Sequence, residues 1–116
     1  MAASQNLRAR LFHIRDEIDG VATTIEGISF EQYRDSYTHR RTVERGAQII
    51  SEAARALPKE PLARFGEAPW ASIIAIGNVL RHEYQRIDDK RMWEIATVYF
   101  PALGPVVRRM IAELDD

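Results

Sequence analysis

Apolar residues recur along most of this chain at alternating steps of four and three, the spacing that gathers them on one face of an α-helix. The first series is Leu7, Leu11, Ile14, Ile18, Val21 and Ile25, which predicts an amphipathic helix from about Asn6 to Ile25. Gly27 should end it, and Ser29 followed by Gln32 has capping-box spacing for a short helix carrying Phe30 and Tyr33. A second series, Val43, Ala47, Ile50, Ala54 and Leu57, predicts a helix from near Thr38 to Leu57 that Pro58 and Pro61 close. Residues Lys59 to Ala68 show no sustained period and read as an irregular connection.

Pro69 stands where a first helical residue belongs, because its missing N–H would be unpaired there anyway. The helix it opens should run to about Ile87, with Trp70, Ile73, Gly77, Leu80, Tyr84 and Ile87 on its apolar stripe. Asp88 and Asp89 can cap a last helix carrying Met92, Trp93, Ile95, Ala96 and Tyr99. Pro101 and Pro105 should kink or break it before Val106, Val107, Met110, Ile111 and Leu114 resume the pattern. With no strand-like alternation anywhere, the expected fold is all-α, an antiparallel bundle of four to five helices forming a single domain over residues 1–116.

Composition narrows the chemistry. Net charge is -1, so no global basic field marks the chain as a nucleic-acid binder, and any RNA contact must be local. The cations are 14 arginines and 2 lysines, and arginine is the better bidentate ligand for phosphate. The absence of cysteine removes disulfides, thiolate catalysis and cysteine-ligated metals. No signal-peptide core and no run approaching ~18 apolar residues occurs, which predicts a soluble, cytoplasmic protein with no membrane contact.

A second line on the Pro69 helix, Ala71, Ala75, Asn78, His82 and Gln85, begins with small side chains and ends with polar ones. Small residues let another backbone approach, so this line predicts a seam with another helix or a second copy of the chain. Asn78 and His82 are neighbours one turn apart in that seam. Residue types alone leave His82 open as a hydrogen-bonded packing residue or a catalyst. His13 falls on a charged face and His39 at the cationic start Thr38-His39-Arg40-Arg41. No His-x-x-x-His or Glu-x-x-His pattern exists, so no metal site and no cofactor are expected.

The segment Asn78-Val79-Leu80-Arg81-His82-Glu83-Tyr84 resembles the signature of the HEPN-domain ribonuclease toxins, in particular the HepT-like branch, whose pattern is Arg-Asn-x-x-x-His-x-Tyr on the penultimate helix. Glu44-Arg45, the segment Gln48 to Arg55, Pro69-Trp70 and Met92-Trp93-Glu94-Ile95 with the prolines after it resemble that family in the same order. The resemblance implies a metal-independent ribonuclease, the toxin of a toxin-antitoxin pair, acting on RNA as a homodimer whose motif helices form one cleft. It also implies a nucleotidyltransferase antitoxin that transfers AMP to the motif tyrosine. Residue by residue, His82 matches the catalytic histidine, Asn78 the polar residue beside the arginine, and Tyr84 the adenylylated tyrosine. Tyr84 also lies on the predicted apolar stripe, so a core role stays open beside the modification.

The chain departs from the family at one position, where Gly77 stands in place of the catalytic arginine. In metal-free RNA cleavage a histidine moves protons while a cation offsets charge on the phosphate oxygens, and losing such a donor costs about 100-fold or more. Arg86, one turn beyond His82 on the predicted helix, and Arg81 beside it are the expected replacements, with Arg45 a further candidate. If none serves, the chain is an interaction module that binds the nucleotidyltransferase without turnover.

Overall fold

The stripe on the first helix does what its spacing predicts: Leu11, Ile14, Ile18 and Val21 are buried along α1 (Ala2–Ile25). A computed structural model of the chain describes residues 2–115, with side chains from 6 to 114. Gly27 follows α1 with φ of 77°, a left-handed conformation that glycine adopts without a Cβ penalty. The capping box then forms as expected, the Ser29 Oγ accepting from the Gln32 N–H and Gln32 Oε1 from the Ser29 N–H, and starts α2 (Phe30–Arg34). Ser36 caps α3 (Tyr37–Arg55) by accepting from the His39 N–H.

The bundle is antiparallel. Arg8 near the start of α1 donates to the Leu114 carbonyl near the end of α7 (Phe100–Asp115), while Asp19 near the end of α1 pairs with Arg108 at 2.7 Å. Ala9 and His13 of α1 face Ile49 and Ala53 of α3 across a shallow groove, and Val21 lies against Gly46. α5 (Trp70–His82) lies on α3 in turn, so the layers run α5, α3, α1, α7. Buried side chains from all four merge into one apolar cluster.

Three boundaries differ from the periodicity. The connection after Pro58 contains α4 (Lys59–Arg64), because Pro61 falls in its first turn, where no backbone N–H is required. Pro101 and Pro105 do not break the last helix. α6 (Asp89–Glu94) passes through a wide π-turn over Ile95–Tyr99, in which the Phe100 N–H reaches the Ile95 carbonyl, and continues as α7. That one-residue slip places Pro101 at the start of a fresh helical register, and burial of Phe100, Leu103, Val106, Val107 and Met110 holds the helix across Pro105.

The third difference bears on the site. α5 stops at His82 rather than continuing to Ile87. Glu83 leaves the helical region at φ -137° and ψ 41°, and Tyr84–Arg86 form a single 3-10 turn. Asp88 accepts from the Lys90 N–H to start α6, so a helix running to Ile87 would leave no residues for the change of direction. No helix among the described residues is long and apolar enough to cross a membrane.

Candidate active site

The site begins with how closely α5 approaches α3. At Gly77 a Cβ would stand 2.1 Å from the Ser51 Oγ, and Ser51 is itself buried at 1% exposure. Position 77 therefore faces the helix seam, not solvent. One turn beyond Ser51 on α3 is Arg55, and one residue beyond Gly77 on α5 is Asn78. The close approach brings these two together, and Arg55 donates a short hydrogen bond to the Asn78 Oδ1. Arg81, three residues further along α5, donates to the same oxygen at 2.8 Å. Two guanidinium groups thus converge on one amide oxygen, with Glu52 3.9 Å from Arg81 as the nearby counter-charge.

His82 is the last residue of α5 and is exposed, one turn from Asn78 on the same face. Its ring is not walled in by the apolar groups of its own chain. Asn78 Oδ1, as an acceptor held by two cations, orients both guanidinium groups at the solvent edge of the same ridge. Such groups hold a phosphate through charge-assisted, bidentate hydrogen bonds.

Tyr84 and Arg86 fall elsewhere than a continuous helix would put them. Tyr84 is 73% exposed in the 3-10 turn, so its core reading is overturned. Arg86 pairs with Glu83 at 3.4 Å and lines a trough with Ile87, Asp88 and Arg91. It does not share the Asn78–His82 ridge, because the ridge ends with α5. Arg45 donates to the Gln48 side chain at 3.2 Å, further toward the start of α3. Arg55 is the residue that sequence reasoning missed. Its place follows from the close approach of Ser51 and Gly77, which the spacing within either helix does not encode. Among the described residues, no group of three or more histidines and carboxylates stands close enough to hold a metal ion.

The family description "Ribonuclease HepT-like" matches residues 14–110 of the chain. The chain belongs to the HepT-like ribonuclease family. Among its relatives, "Putative RNase TTE0752" of Caldanaerobacter subterraneus is 31% identical over 104 residues, covering 90% of this chain and 93% of that protein. "Putative RNase MJ1380" of Methanocaldococcus jannaschii is 25% identical over 101 residues, covering 87% of this chain and 93% of its own length. "Putative RNase MJ0125" of the same organism is 20% identical and covers 97% of both chains. No solved structure matches the chain.

Proposed function

We propose that this HepT-like chain is a metal-independent RNA endonuclease, the toxin of a toxin-antitoxin pair, in which Arg55 and Arg81 supply the charge that Gly77 does not. The observation that carries the reading is the convergence of both guanidinium groups on Asn78, one turn from an exposed His82. In the reaction the RNA 2'-hydroxyl attacks the adjacent phosphorus and the bond to the 5'-oxygen breaks. His82 accepts the 2'-hydroxyl proton, the leaving 5'-oxygen takes a proton, and the cations hold the phosphate oxygens as charge builds on them. Arg86 is the rival source of that charge and is tested beside them.

A second copy of the chain fits the exposed side of α5. α5 packs chiefly on α3, while Ala71 and Ala75 are exposed and Ile76 and Val79 are half-buried. An apolar trough of about 300 Å³ runs beside them to Met92. Small residues allow two α5 helices to approach closely, and such a homodimer brings two His82 rings into one cleft, one as base and one as acid. The exposed Tyr84 phenol, two residues past His82, suits transfer of AMP from ATP by a nucleotidyltransferase antitoxin: the phenolic oxygen bonds to the α-phosphorus and pyrophosphate leaves.

Incubation of bulk tRNA with the purified protein tests the nuclease reading. Cleavage that His82→Ala abolishes and that persists in a chelator supports it, and equal background from both proteins rejects it. The partner reading is tested by mass spectrometry of Tyr84 after incubation with the nucleotidyltransferase and ATP, where an unmodified tyrosine rejects it.

A further inference from the structure

On α3, Arg41, Arg45, Gln48, Glu52 and Arg55 follow one another at steps of four and three, so they share one ridge. Arg45 and Arg55 stand about 15 Å apart along it at 1.5 Å per residue. The Arg55 end reaches Asn78. The other end forms one wall of a cavity of about 530 Å³, whose opposite wall is Leu80, Tyr84 and Ile87 with Asp89 beside them. The cavity and the Asn78 amide are therefore two ends of one track.

The cavity carries both signs of charge. Arg41 is occupied by Glu44 through bonds of 2.9 and 3.1 Å. Arg45 bonds the Gln48 side chain and Arg40 the Arg34 carbonyl at 2.7 Å, and among the described residues neither makes an ion pair with a carboxylate, although the Arg40 charge is felt by Glu44 and Asp35. Asp89 makes no hydrogen bond or ion pair through its carboxylate among those residues. The buried Tyr33 hydroxyl also has no hydrogen-bond partner among the described residues, and the charges acting on it, from Glu44, Asp89, Arg40 and Arg41, all come from the cavity wall.

A ligand matched to these groups brings an anion for Arg40 and Arg45, an N–H donor for Asp89 and a flat apolar face for Tyr84. An inorganic anion has only the first. A nucleotide whose base bears an exocyclic amino group has all three.

We propose that this cavity holds one unpaired nucleotide of a single-stranded RNA, with its base against Tyr84, its amino group on Asp89 and its phosphate on Arg45. The strand continues along the α3 ridge to Arg55 and Asn78, passing the α5 residue His82 that follows one turn after Asn78. Glu52 interrupts the ridge but faces Arg81 at 3.9 Å, which offsets its charge. Uracil, which has no amino group, is disfavoured in the cavity. The inference rests on the ribonuclease reading for its substrate class, and its test reads binding, not turnover.

The test measures fluorescence anisotropy of labelled oligo(A), oligo(C) and oligo(U) with the His82→Ala protein. Oligo(A) and oligo(C) are expected to bind more tightly than oligo(U), and Asp89→Ala to remove that preference. Tyr84→Ala weakens oligo(A) binding about 10-fold, while Tyr84→Phe keeps it. Arg45→Gln lowers the slope of log affinity against log salt by about 0.7, the loss of one phosphate contact on a single strand. No measurable RNA binding, no preference over oligo(U), or binding indifferent to the Tyr84 and Arg45 changes overturns the cavity assignment. Cleavage by the unsubstituted protein is scored separately. Cleavage without the binding pattern leaves the nuclease and removes the cavity; the pattern without cleavage does the reverse.

Discussion

The Ser51 hydroxyl reaches from α3 to the carbonyl of Ile74 on α5 and donates to it at 2.8 Å. This bond pins the point at which the two helices touch, and one turn later on α5 the only side chain that fits opposite Ser51 is a hydrogen atom. A Cβ there would also stand 2.7 Å from the Ser51 Cβ, so the serine cannot simply rotate away. Gly77 thus lets α3 come close enough for Arg55 to reach Asn78 on α5.

Gly77→Ala should destabilise the protein by about 1–3 kcal/mol through overpacking, and Gly77→Arg by more. Restoring an arginine at this position should not raise RNA cleavage, since its side chain would enter the α3 seam. Urea unfolding reads the cost, and the double variant with Ser51→Gly should recover part of the Gly77→Ala loss because the two sites share one contact. Full additivity of the two changes would argue against that contact.

Arg55→Ala should lower RNA cleavage about 100-fold, by analogy with removal of a donor that stabilises developing charge. Its stability should stay within about 0.5 kcal/mol of the parent, because the residue is exposed. Arg55→Lys should recover only part of the activity, since an ammonium keeps the charge without the planar fork. Arg86→Ala should cleave within about twofold of the parent. Loss of activity in Arg86→Ala with an indifferent Arg55→Ala would reverse the assignment.

The main helices were legible because burial on one face forces a 3.6-residue period, and α1, α3 and α5 obey it over most of their length. The end of α5 was not, because Tyr84 and Ile87 continue the period in sequence while the chain must turn to reach the Asp88 cap. The same ambiguity misplaced Arg86, whose ridge position depended on that extra turn. Asn78, Arg81 and His82 lie together on one helix segment, and it was the resemblance of that segment to a family motif that named them. Arg55 could not be named so, since its place depends on how closely two helices approach, a distance that periodicity does not encode.

Ala75→Arg should separate a homodimer built on the exposed side of α5 without unfolding the chain. The substituted residue is exposed in one protomer, so its stability should change by no more than about 0.5 kcal/mol. Light scattering across a concentration series should then report a monomer where the parent is a dimer, and cleavage should fall with the loss of the shared cleft. A parent that stays monomeric at every concentration would sink the dimer.

Tyr33→Phe should raise stability by about 1 kcal/mol. The ring is fully buried against Trp93, with centroids 5.3 Å apart, and the substitution keeps that packing. What it removes is a buried hydroxyl without a partner, which costs about 1–3 kcal/mol when desolvated. Thermal unfolding of the two proteins gives the check, and a Tyr33→Phe protein less stable than the parent would show that the hydroxyl has a partner after all.

Stability should also carry a pH signature from Glu44. Burial pushes its carboxyl above the ordinary 4.5, and the Arg41 guanidinium pulls it back only in part. A carboxyl with a raised folded-state pKa binds its proton more tightly in the native state, so its contribution is present below 4.5 and is lost as pH rises through the folded value. Glu44→Gln keeps a neutral side chain at every pH. The parent and the variant should therefore be about equally stable in acid, and the variant the more stable at neutral pH. Parallel urea titrations from acid to neutral pH measure the crossing of that window. A variant less stable than the parent at neutral pH would show that the pair with Arg41 outweighs the cost of burying the charge.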